Sequence, residues 1–269
     1  IVPHGRLHNL PFSMLLDEKK YLLDQYAIRI LPSTSVLKFI DKKQSNSNNM
    51  LVIGNPDLKD RKMDLPYAQI EAEQLSKLSN NSKLLIRNRA TETVVKETGK
   101  NYDRLHFATH GSFDSSQPLS SGLLLSADSK NDGMFTVNEL FNLSLDADLV
   151  TLSACETGLG KISNGDDVVG LNRGFLYAGA RSIVSSLWQV DDEATADLML
   201  HFYKNMKTMD KRSALRQAKL SIKKILPNPY YWAGFQIVGA KYDDYKVIEF
   251  CKKLKENSLL VDSQVIDCA

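Results

Sequence analysis

Cysteine is scarce in this chain. Cys155, Cys251 and Cys268 are the only three in 269 residues, with no CxxC pair and no cluster with histidine. A disulfide framework and a Cys/His zinc site are therefore excluded, and a reducing, cytoplasmic setting fits best. Excess charge of one sign is also missing: 34 Lys plus Arg face 32 Asp plus Glu, a net +2. Such a balance offers neither a footprint for direct nucleic-acid binding nor a polyacidic tail. No run approaches the roughly eighteen consecutive apolar residues that span a bilayer, and no positively charged leader precedes an apolar core, so a soluble protein with no membrane partner is expected. No internal repeat of about twenty to fifty residues is visible. Gly158-Leu159-Gly160-Lys161 is not a phosphate loop, because Ile162 stands where Ser or Thr must follow the lysine, and the dinucleotide fingerprint is absent too.

What is present is a 43% hydrophobic chain, long enough for one sizeable α/β domain with at most a small appendage. Its organising stretch is Leu149-Val150-Thr151-Leu152-Ser153-Ala154-Cys155-Glu156-Thr157-Gly158. A short run rich in β-branched and aliphatic residues reads as a buried parallel strand. The cysteine then lies at its carboxyl end, where α/β sheets place ligands and reactive groups. Leu105-His106-Phe107-Ala108-Thr109-His110-Gly111 repeats the design. Side by side in a parallel sheet, these strands would bring His110 and Cys155 out at one edge.

Strand and helix alternate around this pair. Met50 to Ile53, Leu84 to Ile86, the His110 strand, Leu149 to Ala154, Ser182 to Leu187 and Phe235 to Val238 read as strands. Helical spacing begins at Tyr67, at Ala90 with Thr91 or Thr93 as cap, at Val168, at Ala194 and at Ser213, the last halted by Pro227 and Pro229. The alternation predicts right-handed βαβ crossovers, hence a mostly parallel sheet covered by helices on both faces. Residues 1–49 read as a small N-terminal β layer, with a brief helix after Ser33, Thr34 or Ser35, followed by an exposed connector at Asp41 to Asn49. Residues 50–240 form the main sheet and helices, and 241–269 an accessory tail. Ile1-Val2-Pro3-His4-Gly5 begins as if already inside a strand and turn, so the chain reads as a fragment of a longer protein. Serine-rich loops at Ser112 to Gly122 and Gly160 to Asp167 flank the two strand ends and are candidate cleft walls.

A thiol becomes a nucleophile as its thiolate, which a neighbouring histidine or a helix amino terminus favours. Taken alone, Cys155 reads as a small core residue and His110 as a satisfied structural histidine. Their joint placement at two strand ends, each followed by a glycine-bearing polar turn, points instead to a Cys/His dyad. The amides of Gly111 and Cys155 are candidate oxyanion donors. His106 falls mid-strand and reads as packed inside; His4, His8 and His201 carry no chemistry. Trp188 and Trp232 read as pocket wall or core. Chain order excludes the α/β-hydrolase arrangement, whose nucleophile precedes its histidine in a GxSxG elbow. Histidine about 45 residues before cysteine instead matches the caspase-type order.

The motifs Ala108-Thr109-His110-Gly111, Leu152 to Gly158, Val168 to Ala180, Ser186-Leu187-Trp188-Gln189-Val190-Asp191-Asp192 and Pro229 to Phe235 resemble, in order, those of CHAT domains, caspase-like peptidases related to separase. The resemblance covers Ile1 to about Ala240. It implies a caspase-like three-layer αβα sandwich and a catalytic His110–Cys155 dyad that cuts a protein substrate with no metal or organic cofactor. It also implies a tetratricopeptide-repeat region upstream or a regulatory partner, in signalling or defence. Leu187 to Asp192 is similar to the separase segment whose aspartate receives a basic P1 side chain. By that likeness Asp192, with Asp191 and Trp188, forms a P1 pocket selecting Arg or Lys. The same acidic run also reads as a helix cap and dipole partner. Two other functions stay open: a catalytically silent interaction module of this fold, and a cysteine-dependent acyl transferase or thioesterase.

Overall fold

The computed structural model describes residues 1–32, 49–112, 114, 116–153, 155–156, 166–188 and 190–239, with the backbone alone for Arg6, Cys155, Glu156 and 166–169. The brief helix after Ser33, nearly all of the connector, most of the second serine-rich loop and the accessory tail lie outside these residues.

The amino-terminal segment differs from the expected strands. Its run from Leu7 to Met14 forms 3-10 turns at Gly5–Asn9 and Phe12–Met14, where Pro11 has no amide to give a ladder and Gly5 takes a φ of 54°. A two-residue pair, β1 (Leu16–Asp17) and β2 (Lys20–Tyr21), and the single turn α1 (Leu22–Gln25) complete it. Arg216 donates to the carbonyls of Leu23 and Asp24 at 2.8 and 2.6 Å, fastening α1 to the body of the domain.

The chain continues as β3 (Met50–Pro56), α2 (Pro66–Ser76), β4 (Ser82–Arg87), α3 (Glu92–Thr98), β5 (Arg104–Ala108) and β6 (His110–Ser112). Next come β7 (Gly122–Leu124), β8 (Met134–Thr136), α4 (Val137–Leu140), β9 (Leu149–Leu152) and β10 (Cys155–Glu156). The last elements are α5 (Asp166–Tyr177), β11 (Ser182–Ser186), α6 (Asp192–Asn205), α7 (Lys211–Ile225) and β12 (Phe235–Gly239). Thr91, Asp191 and Asp210 cap α3, α6 and α7 by accepting amide hydrogens of the first turn, which satisfies donors that a helix leaves open.

Six strands form the main sheet in the order β12-β11-β9-β5-β3-β4, parallel throughout except for β12 against β11. Every residue of β3 and β9 is buried, as expected of strands covered on both faces. Leu51, Ile53, Leu105, Phe107 and Val150 join one core cluster with Phe135, Leu140 and Phe175. Met50, Val52, Leu149 and Val184 join the other with Ala72, Leu75, Phe202, Leu215 and Trp232. The result is a three-layer αβα sandwich, and Ile30 bridges Val238 at the outer edge.

The sequence reading leaves 123–148 unassigned, yet most of β7 and all of β8 and α4 lie there. The two strands belong to a second sheet, of order β10-β6-β7-β8. The signal is weak because each strand has only three residues, too few to show a period.

Candidate active site

Neighbouring strands β5 and β9 pair in parallel from Arg104↔Leu149 to Phe107↔Leu152. Both then leave the main sheet. Past Thr109 the first chain becomes β6, and past Ser153 the second becomes β10. The two meet again in parallel, with Cys155 opposite His110 and Glu156 opposite Gly111. The backbone thus brings together the two residues that the sequence places at adjacent strand ends, in register and within a separate small sheet. Gly111 also faces Leu123 of β7 on its other side.

His110 is 2% exposed, and its Nε2 lies 2.7 Å from the carbonyl oxygen of Met63. A carbonyl only accepts, so Nε2 carries the hydrogen and Nδ1 is the nitrogen equipped to take up a proton. Met63 ends a 3-10 turn, Arg61–Met63, whose cap Asp60 accepts from Lys62 N at 2.9 Å. The loop around it is tied down at several points. Asn55 Oδ1 accepts from Leu65 N at 2.9 Å, and Arg87 Nη1 meets Asp64 Oδ1 at 2.6 Å. Ser126 Oγ accepts from Asp57 N and donates to the Arg87 carbonyl, at 2.9 and 2.7 Å. Sequence reasoning missed Met63, because a main-chain carbonyl leaves no trace in residue type.

Asp191 is the N-cap of α6, its Oδ1 accepting from Ala194 N at 3.0 Å. Asp192 opens the first turn and is half-buried. Trp188 packs on the second core cluster and donates Nε1–H to the Tyr230 carbonyl at 3.1 Å. Its ring occupies the space above Gly234, where an added Cβ would come within 2.9 Å of it. His106 is fully buried and lies 2.8 Å from Glu71, a packed position as the sequence implies. Among the described residues, no group of three or more His, Cys, Asp or Glu has the placement of a metal site, and no helix is long and apolar enough to cross a membrane.

A mostly parallel sheet between two helical layers, with a histidine and a cysteine paired beyond the carboxyl ends of adjacent strands, defines a caspase-like α/β protein. Over residues 1–240 the chain matches the family model described as CHAT domain, and it belongs to that family. It is similar to tetratricopeptide repeat protein 28 of Homo sapiens, at 27% identity over 293 residues covering 89% of this chain and 12% of that protein. The Mus musculus protein of that name is 25% identical over the same shares. The chain thus spans only 12% of the length of these relatives. Among solved structures it is similar to the Saccharomyces cerevisiae separase–securin complex, with a TM-score of 0.58 at 14% identity, covering 86% of this chain and 15% of that chain. It also matches the Arg-specific cysteine proteinase gingipain R, with a TM-score of 0.48 at 8% identity over 76% of this chain and 50% of that one.

Proposed function

We propose that this CHAT domain is a cysteine endopeptidase working through His110 and Cys155. The observation that carries the reading is the parallel register that sets Cys155 opposite His110. The hold of the Met63 carbonyl on His110 Nε2 adds to it. In this mechanism His110 Nδ1 takes the thiol proton of Cys155, and the thiolate attacks the scissile carbonyl. The amides of Gly111 and Cys155 stabilise the oxyanion. His110 returns its proton to the leaving amine, and water, deprotonated by the same ring, releases the acyl-enzyme. Asp192, with Asp191 and Trp188 beside it, receives a basic P1 side chain.

The tetratricopeptide-repeat relatives support a control element outside the domain, either an upstream repeat region or a partner. Residues 241–269 serve as an accessory tail, and a reactive thiol of this kind suits the reducing cytoplasm. The test is to incubate the natural full-length protein and its partners with candidate protein substrates, using Cys155→Ala as control. Cleavage lost in the variant is the expected result, and cleavage that persists refutes Cys155 as the nucleophile. Thiol-dependent ester turnover without peptide cleavage would favour an acyl transferase or thioesterase, and turnover of neither kind a silent interaction module.

A further inference from the structure

One buried carboxylate ties together the two strands that end at the dyad. Glu71 sits on the apolar stripe of α2, between Ala68, Ala72 and Leu75, and is 2% exposed. Its Oε1 lies 2.8 Å from Nε2 of His106 on β5. Its Oε2 accepts from Ser153 Oγ at 3.1 Å, just past the end of β9. Tyr203 of α6 closes a ring, with Oη 3.3 Å from His106 Nδ1 and 2.8 Å from Thr151 Oγ1. Thr151 is in turn the register partner of His106. Burial pushes the Tyr203 hydroxyl well above its ordinary value, so it stays neutral as a relay between the two strands. All five side chains are buried.

The position of this ring argues for more than stability. A packed apolar cluster would hold a sheet at least as firmly as a buried ionisable pair, and the β5–β9 ladder already supplies backbone bonds as far as Phe107 and Leu152. Beyond that point both chains cross a break before pairing again as β6 and β10. One backbone bond, Ser153 N to Phe107 O at 2.9 Å, reaches into the break. The grip of Glu71 on the Ser153 side chain falls at the same place, two residues before Cys155. On the other chain, the Thr109 hydroxyl donates to the Leu124 carbonyl.

We propose that Glu71 is a positioning residue which, through Ser153 and His106, sets the lateral placement of Cys155 against His110. The proposal rests on the dyad reading above and deepens it. Polar contacts between buried side chains in a low-dielectric interior are directional, and they resist sliding in a way that interchangeable apolar contacts do not. Placement matters because the effect of an imidazole on a thiol falls off with their separation.

The experiment measures iodoacetamide alkylation of Cys155 against pH, by mass analysis of its peptide, in the full chain carrying Cys251→Ser and Cys268→Ser. In Glu71→Gln we expect alkylation at pH 7 to slow tenfold or more and the profile midpoint to move toward that of a free thiol. Ser153→Ala, which removes only one hydroxyl, shifts the profile in the same direction by less, and it decides the matter should Glu71→Gln fail to fold. Ile222→Val loosens the same core from α7 and leaves the midpoint unchanged. Wild-type profiles in the folding Glu71→Gln and Ser153→Ala proteins would overturn the proposal, as would an equal shift in Ile222→Val. His110→Ala separates the two levels. If it leaves the wild-type profile unaltered, the dyad reading fails and the proposal with it; if it alters the profile while the Glu71 and Ser153 variants do not, only the positioning role falls.

Discussion

The carbonyl oxygen of Met63 lies 2.7 Å from Nε2 of His110, although the two residues are 47 positions apart, one in the loop after β3 and the other in β6. This contact fixes which nitrogen of the neutral ring carries hydrogen, and so which one is able to accept a proton. Its geometry depends on the loop that follows β3, which the Asp64–Arg87 ion pair holds at 2.6 Å.

Asp64→Ala removes one of the ties on that loop while leaving the domain intact. Both partners are about one-third exposed, so the pair contributes at most about 1 kcal/mol. Peptide cleavage should nevertheless slow by about tenfold, because small displacements of a catalytic group are costly. Urea melts and kcat/KM on one substrate, measured together, check both halves. A cleavage rate equal to wild type would show that Met63 needs no such tether.

Asp192→Asn tests the proposed acidic pocket for a basic P1 side chain. A charge-assisted hydrogen bond carries about 1.5–3 kcal/mol more than none, so the preference for Arg or Lys at P1 should drop by about tenfold to a hundredfold. A peptide library scanned at P1 reads this directly. Indifference to Arg and Lys in the unaltered protein removes the role, leaving Asp192 in the first turn of α6 as a helix-dipole partner only.

Lys219 makes stability depend on pH. Its side chain is buried, with Ser13 Oγ 3.1 Å from Nζ, and burial pushes the ammonium down from an ordinary value near 10.5 to about 7. Between those values the unfolded chain binds the proton and the folded chain does not, so stability rises with pH across that window. The slope contributed by this group approaches about 1.4 kcal/mol per pH unit. Lys219→Met should remove that increment and be more stable than wild type at pH 7 and below. Denaturation curves of both proteins from pH 6 to 10 are the check, and parallel curves would contradict the assignment.

Gly54 tests how closely α2 lies on the sheet. A Cβ there would collide with Ala72 Cβ and stand 2.9 Å from the Ala68 carbonyl, both fixed parts of the helix that carries Glu71. Gly54→Ala should destabilise by about 2 kcal/mol through overpacking. A thermal midpoint within experimental error of wild type would show that α2 moves aside freely.

Much of the frame was legible in the chain itself. Met50 to Ile53 is apolar at every position and Leu149 to Leu152 at all but Thr151, the pattern of a strand covered on both faces. Their alternation with capped amphipathic helices leaves little choice of topology. Short elements escaped: β7 and β8 have three residues each, and the run from Leu7 to Met14 became 3-10 turns around Pro11. Glu71 left a faint signal, an acidic residue on the apolar stripe of a helix.

From residue order alone came the sandwich and the nomination of one cysteine and one histidine, because hydrophobic period and strand-end position are local properties that each segment carries with it. Only tertiary structure determined that these two residues pair in a small second sheet rather than at the rim of the main one, that a carbonyl from a distant turn orients the imidazole, and that a buried carboxylate bridges the strands beneath. Those contacts join segments far apart in the chain through main-chain atoms and single side chains, and no periodic pattern records which partner a folded chain brings within 3 Å.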